Sequence, residues 1–158
     1  MRLKEKETTQ KRIVGLSRIP FILGFLIPGF DYRFQWSDVP VLVVIIGNIM
    51  VFLGYWIVFL VFRENSYTSR IVEVEKGQKV ITSGPYALVR HPMYTGIILM
   101  YLFTPVALGS WWALLIFGFT PLVLILRIFN EEELLKRELP GYKEYCQKVH
   151  YRLLPYIW

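Results

Sequence analysis

The chain has 158 residues, of which 54% are hydrophobic, 16% aromatic and only 19% charged, with a formal net charge of +6. A soluble domain of this size carries about a quarter charged residues, so lipid rather than water is the expected main solvent, and the length has room for one domain. The single cysteine, Cys146, excludes an internal disulfide, and two histidines far apart, His91 and His150, make a metal site unexpected.

The N-terminus is hydrophilic for too long, and lacks the small-residue cleavage site, to read as a cleavable signal peptide. The first apolar segment, Ile13 to Phe30, is short and broken by Arg18, Pro20 and Pro28. Arg18 lies near its start, where a long side chain snorkels to headgroups. The second, Val39 to Phe62, holds no charge and is ample for a hydrocarbon core of about 30 Å. A long polar loop follows, residues 63–91. Within it Ser66 to Val74 alternates and is expected to be extended, and Lys76-Gly77 and Ser83-Gly84-Pro85 predict turns. Tyr86 to Arg90 suits a helical turn, and Pro92 suits the first turn of the next helix. Such a loop at a membrane face is functional more often than merely connective.

The third segment, Met93 to Leu108, is short for a full span at roughly 1.5 Å per residue. Gly109-Ser110 is the turn to the fourth, Trp111 to Phe129, which is interrupted by Pro121 and carries Arg127 near its end. These two segments predict a tight antiparallel helical hairpin. Glu131 to Leu139 continues as helix, Leu139-Pro140-Gly141 ends it, and Tyr142 to Val149 resumes a helical pattern. The aromatic stretch 151–158 is expected to lie back on protein or headgroups. The predicted fold is all-α: a membrane helical bundle of about four transmembrane helices, with a cytoplasmic cofactor pocket and C-terminal tail helices. It forms a single domain over 1–158, with N-terminal spans in 1–62 and the loop, hairpin and tail in 63–158.

Lysines and arginines set the orientation. The N-terminal tail, the 63–91 loop and the C-terminal part are basic; the loop between the first two segments has only Arg33, and the Gly109-Ser110 turn has none. Four spans place the three basic regions on one side, so the positive-inside rule makes both termini cytoplasmic. The net charge is explained by topology and calls for no nucleic-acid partner.

Residues 84–96, GPYALVRHPMYTG, join a basic-aromatic-His cluster to the start of an apolar run. An acidic triplet, Glu131-Glu132-Glu133, lies beyond the next two apolar segments. Each feature alone has an ordinary reading. Arg90-His91-Pro92 is a helix start with basic anchors, Tyr86 and Tyr94 are interface aromatics, and the triplet pairs with Lys136, Arg137 and Arg127 at i,i+4 spacing. Together, in order, they point to a polar ligand held at a membrane surface. Arg90 or His91 suits a ligand carboxylate, and Glu131 or Glu132 suits an ammonium or ribose hydroxyls. Tyr86 and Tyr94 suit an adenine ring or a sulfonium, the latter by a cation–π attraction of about 0.5–2 kcal/mol.

GPYALVRHPMYTG, then a helical hairpin, then RxxxEEELL and PGYKEY, resembles the isoprenylcysteine carboxyl methyltransferases, integral-membrane enzymes that use S-adenosylmethionine. Phospholipid methyltransferases share the general plan. The resemblance spans roughly residues 62–158. It implies a cofactor pocket made by the loop, hairpin and tail, with contacts from Gln78, Lys79, Val80, Ile81, Tyr86, His91, Pro92, Met93, Tyr94 and Glu132. It also implies that Arg127 meets the reacting end of a lipid-like or prenylated substrate. The expected reaction is carboxyl O-methylation of an isoprenylcysteine-type acceptor.

Three alternatives stand beside it. One is phospholipid N-methylation. Another is an NADPH-dependent membrane reductase of the sterol type, whose RHPNYxGE pattern differs here at Met93 and Ile97. The third is a non-catalytic membrane subunit. The topology has a direct test: reporter fusions at Trp158 and near Asp38 should report opposite sides of the membrane, and equal reporting would sink the four-span arrangement.

Overall fold

The computed structural model describes residues 21–66 and 77–158. The expected start of the first segment, Ile13 to Pro20 with Arg18, and most of the Ser66 to Val74 stretch expected to be extended lie outside the described residues. So do the basic residues of the N-terminal tail, together with Arg70 and Lys76. Among the described residues all regular structure is helical.

Residues 21–34 are helical and are designated α1; the helix runs on past Pro28 and Phe30 rather than ending there. The next helix, α2, spans Val41–Glu64. It starts directly after Pro40, whose carbonyl accepts from Val43 N at 2.8 Å and Val44 N at 3.1 Å. It stops once Arg63 and Glu64 replace the apolar run. A short 3₁₀ turn, Gly84–Ala87, is followed by α3, Pro92–Ala107, with Pro92 at its first position. Proline fits there because its missing N–H would have had no partner.

The expected fourth segment is two helices, α4 (Trp111–Phe117) and α5 (Thr120–Glu138). The break falls at Gly118-Phe119 rather than at Pro121 itself. A proline ring clashes with the carbonyl four residues back and offers no N–H, so the disruption appears in the turn before it. Phe119 N accordingly reaches Ile116 O at 3.3 Å, a tightened turn. Gly109 adopts φ 72°, which closes the turn before α4, and Ser110 caps α4 by accepting from Ala113 N at 3.2 Å. The last helix, α6, covers Tyr142–Lys148 after Gly141 at φ 84°.

Two helical stretches are long and apolar enough to cross a membrane, Val41–Glu64 and Trp111–Glu138, while α3 is apolar but shorter. In α2 only 11% of the most apolar window is buried, and Leu42, Ile46, Ile49, Phe52, Trp56 and Phe59 are all exposed. A core helix of a water-soluble protein buries such residues. A helix whose apolar face looks outward is solvated by lipid, where the helix itself satisfies its backbone.

The chain divides into two compact units, Met1–Asn48 with Tyr101–Phe119 and Ile49–Met100 with Thr120–Trp158. In the first, Asp31 is buried and fixes the α1–α2 connection to the start of α4. Its carboxylate accepts from Ser37 N and Ser37 Oγ, both at 2.7 Å, and from Ser110 Oγ. In the second, α2 and α3 approach through glycine. A Cβ on Gly54 would lie 2.8 Å from the Gly96 carbonyl oxygen and 2.6 Å from Met100 Cγ. Small residues permit such close backbone packing where no hydrophobic effect drives helices together.

Gly54→Ala should therefore lower the thermal unfolding temperature in detergent, at a cost of about 1–3 kcal/mol for overpacking. Gly29→Ala, within α1 and with open space where its Cβ would stand, should be neutral or raise it. Equal shifts for the two would refute the close approach.

Candidate functional site

The second unit contains a buried carboxylate surrounded by cationic groups. Glu132, on α5 and 2% exposed, has Oε1 3.3 Å from Arg90 Nη1, 3.4 Å from His91 Nε2 and 3.2 Å from Arg152 Nε. Its Oε2 lies 3.3 Å from Lys136 Nζ, one helical turn on. Arg90 and His91 are themselves buried. A buried charge is tolerated when paired, and here the pairing is several-fold.

The sequence places these groups by local means. Pro92 opens α3, so Arg90 and His91 are the last residues before the helix. Their backbone N–H groups donate to Tyr151 O and Arg152 O, each at 2.9 Å. Thr95 Oγ1, one turn into α3, donates to Leu153 O at 2.7 Å. The 151–158 stretch is thus bonded to the RHPMYT segment through its own backbone carbonyls, which accept from two backbone N–H groups and one hydroxyl. It also closes on itself, since Arg152 N, Leu153 N and Leu154 N all donate to Trp158 O. Arg152 lies against a T-shaped pair of rings, with Cζ 5.4 Å from the Phe129 centroid and 5.2 Å from that of Trp158.

A second set of contacts surrounds Tyr94. Its hydroxyl donates to Glu131 Oε2 at 2.5 Å and accepts from Arg127 Nε at 2.9 Å. The Arg127 guanidinium also lies 5.9 Å from the Tyr94 ring centroid. The rings of His91 and Tyr94 stack at 5.7 Å, next to each other along the chain's turn into α3.

Of the residues singled out from sequence, Arg90, His91 and Glu132 therefore meet, as do Tyr94, Arg127 and Glu131. Pro92 is fully buried behind them and Met93 half-buried. Tyr86 belongs to a third set: its hydroxyl accepts from Asn65 Nδ2 at 2.8 Å and its carbonyl from Tyr145 Oη at 2.7 Å. Val80 packs on an apolar cluster of Leu139, Tyr142 and Tyr145. Gln78 and Ile81 are half-buried, and Lys79 is exposed.

Sequence reasoning did not single out Arg152 or Tyr142. Arg152 is distant in sequence from both partners it bridges, and no spacing rule connects them. Tyr142 is 4% exposed, and its hydroxyl is enclosed without a hydrogen-bond partner, as is Arg90 Nε. Burial pushes the Tyr142 phenol well above its ordinary pKa, reinforced by the negative charge of Glu132. Burial does the same to Tyr145. Both stay neutral donors.

Residues 42–140 match the phospholipid methyltransferase family. The chain belongs to that family. It is 36% identical over 121 residues to a probable protein-S-isoprenylcysteine O-methyltransferase of Oryza sativa subsp. indica, covering 71% of this chain and 61% of that protein. The japonica counterpart gives the same figures. It is also 30% identical over 105 residues to a Δ(14)-sterol reductase, TM7SF2, of Mus musculus, covering 61% of this chain and 25% of that protein. The chain thus spans about three fifths of the methyltransferase relatives and a quarter of the reductase.

Removing charge from Glu132 strands Arg90 in a buried place. Glu132→Gln should therefore destabilise the fold by roughly 3–5 kcal/mol, read as a large drop in thermal unfolding temperature. Glu133→Gln, on the exposed side of the same helix, should stay within about 0.5 kcal/mol of the parent. Comparable shifts would mean that the carboxylate is not buried among cations.

Proposed function

We propose that this protein is an S-adenosylmethionine-dependent membrane methyltransferase acting on a lipid-like or prenylated acceptor, with carboxyl O-methylation of an isoprenylcysteine-type compound as the favoured reaction. One observation carries the reading: a buried acid, Glu132, and several donors converge where the RHPMY segment meets α5. The proposed arrangement is four spans, both termini cytoplasmic, and the site at the cytoplasmic surface.

The residues fit the chemistry of the cofactor. Its carboxylate needs donors, and its ammonium needs an acidic acceptor. Arg90, Arg152, His91 and the Tyr142 hydroxyl are donors, and Arg90 Nε and Tyr142 Oη are enclosed without an acceptor. Glu132 and Glu131 are the acceptors. When bound, the cofactor supplies a methyl group on a cationic sulfur, open to in-line displacement. The protein's part is then alignment, which accounts for most of the acceleration in such a transfer. On this reading His91, Pro92, Met93 and Tyr94 would form one side of a cofactor pocket, and the 78–81 stretch and Tyr86 another. A carboxylate acceptor needs no general base. Arg127, held by Tyr94, would pair with its negative charge and orient one oxygen toward the methyl. An arginine at the end of an apolar helical stretch is a functional candidate in its own right.

The sterol reductase similarity supports a second reading, nicotinamide-dependent reduction on the same motif. Calorimetry with S-adenosylmethionine and with NADPH on the purified protein separates the two. Binding of the first alone is expected. With labelled cofactor, a prenylcysteine analogue should accept methyl groups, and its counterpart lacking the prenyl chain should not. Arg127→Gln should lower transfer by about 10–100-fold while leaving cofactor affinity within about threefold. Binding of NADPH alone would replace the transferase reading with the reductase one. Turnover of a phospholipid amine instead would shift the acceptor class within it.

A further inference from the structure

We propose that Lys136 occupies the place of the cofactor's ammonium group on Glu132 and leaves when the cofactor binds, so that it sets affinity by competition. The inference rests on the methyltransferase reading above. Glu132 Oε1 is taken by Arg90, His91 and Arg152, whose side chains are 6%, 4% and 24% exposed. Oε2 is met by Lys136, whose side chain is 41% exposed. Of the four partners Lys136 is thus the one with a path to solvent and room to withdraw. Its head group is a primary ammonium, the same donor as the amino end of an amino-acid ligand. A ligand ammonium arriving on Oε2 makes a like charge-assisted hydrogen bond and leaves the carboxylate's other contacts in place. Two ammonium groups drawn to the one oxygen repel each other at close range, so the arrival of one favours withdrawal of the other, and Lys136 is the one exposed enough to withdraw. Displacement is possible because the Lys136 head group regains water when it leaves, its side chain being 41% exposed.

The prediction runs against the usual effect of losing a charged residue near a ligand. Lys136→Met keeps the aliphatic stem and removes the ammonium. It should tighten binding of S-adenosylhomocysteine by about 2–10-fold. That ligand has no sulfonium, so general charge attraction to a cationic sulfur does not confuse the result. The desamino analogue of S-adenosylhomocysteine, which keeps the carboxylate and lacks the amino group, should bind the variant no more tightly than the parent. Lys136→Arg should retain the parent's affinities. Thermal unfolding of each variant in the same detergent reports on folding. Equal affinities of parent and Lys136→Met for S-adenosylhomocysteine would overturn the proposal and leave Lys136 as a surface ion pair. Weaker binding by the variant would also overturn it, because Lys136 would then hold the ligand. If the folded parent binds neither compound, the methyltransferase reading fails first and this inference with it.

Discussion

The second unit depends on one constraint: a carboxylate taken out of water must be answered by nearby positive charge. Glu132 is that carboxylate, and α5 carries it into a place where water does not reach. Two of its partners come from the residues just before α3, a third from the stretch after α6, and a fourth from α5 itself. The penalty for leaving any buried member unpaired is several kcal/mol, whereas the net gain from the intact set is small. The cluster is therefore better understood as fixing where these segments lie than as a source of stability. Arg152 extends this. Its guanidinium reaches Glu132 while lying near the rings of Phe129 and Trp158, so one side chain registers the tail against α5.

The lipid solvent explains the rest of the architecture. Where large apolar residues point outward, as along α2, only internal hydrogen bonding is available to the backbone, and the helix is long and uninterrupted. Where the chain must break, the freed groups are matched locally. Ser110 and Ser37 do this at the start of α4, where their hydroxyls accept from Ala113 N and Trp111 N, and the tightened turn at Phe119 does it before α5. Glycine has a different part in α2. Gly54 has no side chain because the backbone of α3 occupies that space.

The sequence made the apolar helices and the RHPMY segment legible for physical reasons. An unbroken apolar run bounded by Pro40 and by Arg63-Glu64 has one good solution, and Pro92 announces a helix start. The break in the fourth segment was less legible. Proline's effect falls on the preceding turn, so the helix ends at Phe117 rather than beside Pro121. The acidic triplet showed that an acid was available, but not which one. Only the packing of α5 separates buried Glu132 from exposed Glu133. Arg152 had no signal at all, because its segment is attached through carbonyl and amide groups that every residue possesses.

The same geometry bears on the choice between methyl transfer and nicotinamide reduction. The reductase relative shares the region of the motif, yet this chain covers only a quarter of it, so the likeness concerns a scaffold more than a whole enzyme. A scaffold common to both would present cationic groups to an anionic ligand, and Arg90, Arg152 and Lys136 serve either a carboxylate or a phosphate. What separates the two chemistries is the acid at their centre. A nicotinamide dinucleotide offers phosphates but no amino-acid ammonium, so it leaves Glu132 and Glu131 without a ligand partner. An amino-acid-bearing nucleoside offers an ammonium, which they attract. The paired presence of donors and a buried carboxylate thus weighs toward a zwitterionic ligand, as the methyl-transfer reading proposed above requires.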